Sequence, residues 1–285
     1  MMESSKEYTL RKMFSYDFSY IDNQTYYGKR NLFEQQEKTD PEAAAINAML
    51  EQYESVLQFV CGYFGRSGFD TAKIDEFPFP TIIFSRERKT RICTCDPRGE
   101  DKKGPRMLSD GTSNPDDEPI MKQEERLVLG EYYEGTHSII LYMENIREES
   151  RENPGDWLIP VFVHEMFHAF HRWYMTCSHV SWRDNSKDER GKKVKEALAK
   201  AVEYQWIAQE NEQPLRDLMT DTIREALKKD VYTDSPYKYA LPYLDENIAA
   251  NTVEELIRNS SKGWTAAHKI LKRDFNRWLD YNYPQ

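Results

Sequence analysis

One short segment constrains this chain more than any other: residues 161–171, an apolar run that contains the pattern His-Glu-x-x-His. Its two histidines, His164 and His168, are four residues apart, so a helix places both imidazoles on one face, where they can bind one metal ion. Glu165 follows the first histidine, in a position to take a proton from a metal-bound water. The segment therefore predicts a helix that carries two metal ligands and a general base.

The surrounding residues favour a buried helix. Pro154 and Gly155 break the preceding segment, Asp156 can cap a helix, and Pro160 is tolerated in a first turn. Almost every position in 157–175 is apolar apart from the residues of the motif. A helix that is apolar all round is buried, and its polar groups then need partners. A metal ion is one such partner, and hydrogen bonds from the histidines to the backbone are the alternative.

A catalytic zinc ion usually has three protein ligands and one water, so a third ligand is required. His171 lies on the same helical face as His164, about two turns along, but a straight helix cannot easily bring positions i, i+4 and i+7 to one ion. We therefore expect His171 to line the pocket. The metzincin pattern is excluded, because Tyr174 stands where that pattern has histidine.

The next predicted helix contains Glu196 in the sequence Glu-Ala-Leu-Ala. This stretch, together with the His-Glu-x-x-His segment, resembles the gluzincins, the thermolysin-like zinc peptidases, over residues 138–206. The resemblance implies a zincin-like fold, peptidase activity, a Zn²⁺ cofactor and Glu196 as the third ligand. Glu203 and His179 remain alternatives, because Glu196 and Glu203 share the polar face of the helix, where glutamates are usually just solvated.

The resemblance also implies two further parts of the site. Gluzincins stabilise the oxyanion with a tyrosine or histidine from the helical lobe. This chain offers several candidates, of which Tyr239 is preferred: Tyr237, Tyr239, Tyr243 and His268. The strand before the motif helix, residues 137–143, is the candidate to pair with an extended substrate, since an open sheet edge offers backbone groups to a peptide. An ordinary core strand is the alternative.

The predicted fold class is α+β, with two lobes. Residues 1–182 form a lobe with a small twisted sheet and the motif helix, and residues 183–285 form a helical lobe that completes the zinc site. Alternation predicts a strand over 14–20, a hairpin of 80–84 with 90–95, and a second hairpin of 126–129 with 137–143. Residues 96–119 read as a long loop. Predicted helices cover the remaining segments: 41–64, 190–209, 213–229, 252–259 and 263–281.

Composition limits the classes of partner that the protein is expected to bind. A net charge of −10 and a pI of about 5.3 argue against nucleic acid. No apolar run is long enough to predict a membrane span, and the first residues lack the apolar core of a signal peptide, so we expect a cytoplasmic protein. The expected partner is a peptide or protein substrate, and oligomeric state stays open. Two other functions remain: a zinc-bearing binding or regulatory protein without turnover, and a zinc hydrolase of a non-peptide amide.

Overall fold

The fold combines many helices with a small sheet and is therefore of the α+β class. The computed structural model describes residues 25–26, 41–70, 76–95, 122–150, 154–185, 187, 189–209, 213–231, 235–245 and 252–284. The predicted strand 14–20 and the predicted loop 96–119 lie outside these residues. The chain divides into two compact units, Met1–Lys89 with Leu127–His179 and Thr90–Arg126 with Val180–Gln285.

The helices of the first unit are α1 (Pro41–Glu51), α2 (Tyr53–Arg66), α3 (Met143–Ser150) and α4 (Pro154–Cys177). A break at Gln52 divides the single helix that the sequence predicts over 41–64. The motif lies in α4, and residues 160–171 are buried without exception. Because α4 begins before Asp156, Pro160 lies in its second turn, where its missing N–H leaves the carbonyl of Asp156 without its helical partner.

The first unit contains a sheet with strand order β1-β2-β6-β5. Its strands are β1 (Thr25–Tyr26), β2 (Thr81–Ser85), β5 (Gly130–Tyr133) and β6 (Ser138–Tyr142). β2 pairs in parallel with β6, with Ile82 opposite Ile139, and β5 pairs antiparallel with β6. The turn at 134–137 is thus confirmed as a hairpin turn, but its first strand is β5 and not the predicted 126–129.

Two sequence predictions about this sheet are wrong. Residues 90–95 do form a strand, β3 (Thr90–Cys95), but it pairs with β4 (Lys122–Leu127) in a separate two-stranded sheet and not with β2. Of the two interpretations of residues 137–143, the open edge is wrong and the ordinary core strand is correct, because β6 lies between β2 and β5. Among the strands that the structure describes, β5 is the one at the end of the sheet beside β6.

Aromatic packing fixes α4 in the first unit. The ring of Phe170 lies 4.8 Å from that of Phe64 on α2 and 4.8 Å from that of Phe77, measured between centroids. Phe167 lies 5.3 Å from Phe64 on the same side. The helix also contacts α1, α3, β5 and β6. Buried aromatic side chains contribute large apolar areas and prefer such tilted contacts. The motif helix is therefore held on several sides by a rigid core.

Asn145 joins the two points where the chain leaves and re-enters the first unit. Its side chain is 0% exposed, and Nδ2 donates to the carbonyl oxygens of Lys89 and Val128, each at 2.6 Å. The amide of Val128 also donates to the carbonyl of Lys89 at 3.0 Å. These bonds satisfy buried backbone acceptors, which would otherwise be costly to desolvate. The ends of the intervening segment are thus fixed side by side.

The second unit contains β3, β4 and a group of helices. The helices are α5 (Arg190–Ile207), α6 (Gln213–Asp230), a 3₁₀ helix (Pro236–Tyr243), α7 (Val253–Ser260) and α8 (Trp264–Asn282). The four α-helices agree with the sequence prediction to within a few residues. α5 packs against α6, α7, α8 and the 3₁₀ helix, so it forms the centre of this unit. Among the residues described, no helix combines the length and apolar character that crossing a bilayer requires.

Candidate metal centre

The two histidines of the motif are buried and lie side by side on α4. His164 is 6% exposed and His168 is 7% exposed. Their ring centroids are 4.9 Å apart and the rings meet edge to face, at an interplanar angle of 79°. This is the result of the i, i+4 spacing on a helix whose apolar neighbours face the core. The pair therefore presents two imidazoles to a common point.

Glu165 is also buried, at 6% exposure, and lies against the backbone of β5. A Cβ atom added to Gly130 would stand 3.0 Å from Cγ and 3.2 Å from Oε1 of Glu165, and 2.7 Å from Cγ1 of Val161. Such distances leave no room for a side chain at position 130. Gly130 is thus required because a strand and a helix approach closely here, and it lets the strand backbone reach the carboxylate.

Glu196 is half-buried on α5. Together with His164 and His168 it makes up a group of residues that could hold a metal ion. Two imidazoles and a carboxylate also match the donor preference of zinc. The residues present therefore fit the ion.

The other candidate ligands have different surroundings. Glu203 was expected on a solvated face but is only 2% exposed, and Lys200 Nζ lies 2.8 Å from its Oε1 and 2.7 Å from its Oε2. His179 is exposed and has a left-handed backbone, with φ of 56°. His171 is 0% exposed, among aromatic rings of the core. Within the described residues, none of the three belongs to the group of possible metal ligands.

The tyrosine preferred from the sequence, Tyr239, lies on the 3₁₀ helix with its ring 4.8 Å from that of Phe275. Tyr243 donates its hydroxyl proton to Oδ2 of the buried Asp274, at 3.1 Å. Burial, together with the charge of Asp274, raises the pKa of Tyr243 far above its usual range. A hydroxyl committed to a buried carboxylate is poorly suited to donate to a substrate, so Tyr243 is the weaker candidate.

Tyr237 has a different electrostatic setting. Arg91 Nη1 donates to its hydroxyl oxygen at 3.2 Å, and the guanidinium carbon lies 4.8 Å from the ring centroid. Lys200 Nζ lies 5.5 Å from the same centroid. Two positive charges thus lie beside this phenol ring. His268, the remaining candidate, is half-buried on α8.

Two residues of this region were missed by sequence reasoning. Gly130 carried no signal, because a strand glycine gains meaning only from the helix that it faces. Arg172 did carry a signal in the sequence. It is a charged residue four positions after His168 on an otherwise apolar helix, and a half-buried charge needs a partner. That partner proves to be the hydroxyl of Tyr132 on β5, at 2.9 Å.

Comparisons with protein-family models, with curated proteins and with solved structures find no match for this chain.

Proposed function

We propose that this protein is a zinc-dependent hydrolase that cleaves peptide bonds, with a zincin-like fold, as the resemblance to the gluzincins implies. One observation carries the proposal: the buried imidazoles of His164 and His168 lie side by side on α4, and with Glu196 they make up a group that could hold a metal ion. The residue that follows the first histidine, Glu165, is a buried carboxylate. A pair of imidazoles with a carboxylate, next to a candidate base, is the donor set of a catalytic zinc centre rather than a closed structural one.

Glu165 acts as the general base and then as the general acid. When bound, a zinc ion would lower the pKa of a water ligand to about 7 and polarise the substrate carbonyl. Glu165 accepts the proton of the attacking water and passes it to the leaving amine. The backbone of β5 at Gly130 packs against this side chain, so little reorganisation is needed during proton transfer.

A tyrosine of the 3₁₀ helix supplies a second donor to the developing oxyanion. The proposal for Tyr239 stands as a prediction from the resemblance. The contacts of Tyr237 favour that residue more, because Arg91 donates to its oxygen and two cations lie beside its ring. We therefore assign the role to Tyr237 first, with Tyr239 as the alternative.

The substrate is proposed to bind as an extended peptide along β5. The resemblance assigns substrate pairing to a sheet edge, and β5 is the strand at the end of the described sheet on the side of α4. Gly130 brings the backbone of this strand against Glu165. A peptide that pairs with β5 would use backbone hydrogen bonds for affinity and would carry a carbonyl towards the proposed ion.

Metal analysis combined with the Glu165→Gln variant tests this function. We expect one zinc ion per chain, cleavage of a mixed peptide pool, and a loss of cleavage of at least about 100-fold in Glu165→Gln with zinc retained. Glu54→Gln is a suitable control, because Glu54 lies on α2, outside the proposed site. Zinc without cleavage of any peptide pool would contradict peptidase activity and favour a binding role or another amide substrate. Absence of zinc binding would overturn the proposal as a whole.

A further inference from the structure

A chain of hydrogen bonds centred on Tyr132 links the edge strand to the motif helix. Arg172 Nη1 on α4 donates to the hydroxyl oxygen of Tyr132 at 2.9 Å and to the carbonyl oxygen of Glu134 at 2.7 Å. The same hydroxyl lies 2.7 Å from Nδ1 of His137, and Nε2 of His137 bonds the carbonyl of Pro78. One strand, one turn and one helix are thus joined through three side chains, which we call the Tyr132 clamp: Tyr132, His137 and Arg172.

The direction of each hydrogen bond follows from the chemistry of the groups. Arginine only donates and a carbonyl only accepts, so the oxygen of Tyr132 accepts from Arg172, and Nε2 of His137 donates to the carbonyl of Pro78. In the neutral imidazole Nδ1 is then the acceptor, and it receives the hydroxyl proton of Tyr132. Burial lowers the pKa of His137, and the charge of Arg172 acts in the same direction. The network is therefore complete when His137 is neutral.

The clamp lies on the same faces as the proposed site. His164, His168 and Arg172 follow one another at intervals of four residues along one stripe of α4. Tyr132 is two residues after Gly130, so both point to the same side of β5, the side that faces α4. The strand is consequently held against the helix at two places, at Glu165 through the close approach of Gly130 and at Arg172 through the phenol.

We propose that Tyr132, His137 and Arg172 are positioning residues of the proposed peptidase, which hold the β5 edge at a fixed place beside Glu165 and so set the register of the bound peptide. The inference rests on the proposed function. None of the three residues touches the reacting atoms. Their contribution is to substrate binding, because a strand that shifts along the helix would present its backbone groups to the peptide out of line with the base.

The backbone at His137 supports a specific role for this side chain. His137 has φ of 51°, a left-handed conformation that residues other than glycine adopt less readily. The titratable and charged groups that face its ring are Tyr132 on β5 and Arg172 on α4, with Glu134 in the same turn beside Tyr132. A proton added to His137 removes the acceptor for Tyr132 and adds a second positive charge beside Arg172. Peptide binding is therefore expected to weaken in acid.

Tyr132→Phe tests the clamp, because it removes the hydroxyl and preserves the ring. We expect KM for peptide cleavage to rise about tenfold, the equivalent of one hydrogen bond, with kcat within about twofold of wild type. The control is Tyr281→Phe on α8, outside the proposed site, where the side chain is 60% exposed. Arg172→Ala should raise KM. Arg172→Lys, which retains one donor, should raise KM less.

The pH profile separates positioning from stability alone. In wild type KM should rise as His137 becomes protonated, and in Tyr132→Phe this rise should disappear. An active wild type whose KM is unchanged in Tyr132→Phe would overturn the clamp and leave the proposed function intact. Equal losses of kcat and thermal stability with a wild-type pH profile would also overturn it. A zinc-loaded wild type that cleaves no peptide would overturn both proposals.

Discussion

The backbone of Gly130 lies against the side chain of Glu165, so closely that a methyl group at position 130 would stand 3.2 Å from Oε1. The strand β5 and the side chain of the proposed general base are thereby coupled through direct packing. Whatever moves β5 moves the surface against which the proposed base is packed.

Gly130→Ala should therefore impair cleavage more than stability. The added Cβ would overlap Cγ1 of Val161 at 2.7 Å and displace Glu165, and a displacement of about 1 Å at a base costs on the order of 100-fold in rate. Zinc content should not change. Gly135→Ala is the control, since a Cβ there would meet only the ring of Tyr133, at 3.4 Å or more. Equal activity of the two variants would show that the close approach of Gly130 to Glu165 does not affect cleavage.

Glu196→Gln and Glu203→Gln distinguish the proposed third ligand from the glutamate about two turns further along the same helix. Glu196→Gln should lower zinc affinity by at least about 100-fold, because a carboxylate ligand is replaced by a neutral amide. Glu203→Gln should leave zinc affinity nearly unchanged and should lower thermal stability, because Lys200 loses its buried partner. Competition with a chromophoric chelator measures both affinities. The reverse order would assign the ligand to Glu203, and loss of zinc in His179→Asn alone would assign it to His179.

Tyr237→Phe and Tyr239→Phe address the donor to the oxyanion. Tyr237→Phe should lower kcat on the order of 100-fold with zinc and KM retained, since an oxyanion donor acts only in the transition state. Tyr239→Phe should have a small effect, because its ring contact with Phe275 survives the change. Steady-state kinetics on one peptide decide between them. A large loss in Tyr239→Phe alone would return the role to that residue.

Protonation of His137 should also appear in the stability of the protein. The pKa of His137 is lowered in the fold from its ordinary value of 6.5, so below pH 6.5 the unfolded chain binds more protons than the folded one. The free energy of unfolding should thus fall as pH decreases through this window and stay level above it. Denaturant titrations of wild type and His137→Asn measure the effect, asparagine being tolerant of a left-handed backbone. The difference between the two proteins should be independent of pH if the assignment is wrong.

Helices were predicted well from this sequence because their signals are local. The breaks at Pro154 and Gly155, the spacing of His164 and His168, and the periodicity after residue 190 each depend on neighbouring residues. Even so, α4 begins before the predicted cap, since Pro154 itself can occupy a first helical turn. The proposed site could be predicted for the same reason, because a single helix supplies two of its candidate ligands and its candidate base.

Strand pairing could not be read in the same way. Alternation identifies residues 81–85 and 90–95 as strands but carries no information about their partners, and β2 finds its partner in β6, with Ile82 opposite Ile139. The burial of Glu203 was missed for a related reason. A helical wheel places it on the polar side of α5, but burial there is set by the elements that pack on that side and by the charge of Lys200.

The side chain of Asn145 has a consequence for the length of the chain. Its hydrogen bonds hold Lys89 beside Val128. With respect to the first unit, the residues between these two positions therefore form a loop whose ends are already joined. Doubling such a loop adds only about 0.6 kcal/mol of closure entropy. Insertions between β3 and β4 should hardly disturb the scaffold of the motif helix. Homologous chains are expected to vary most in size there, while they retain Arg91 beside Tyr237.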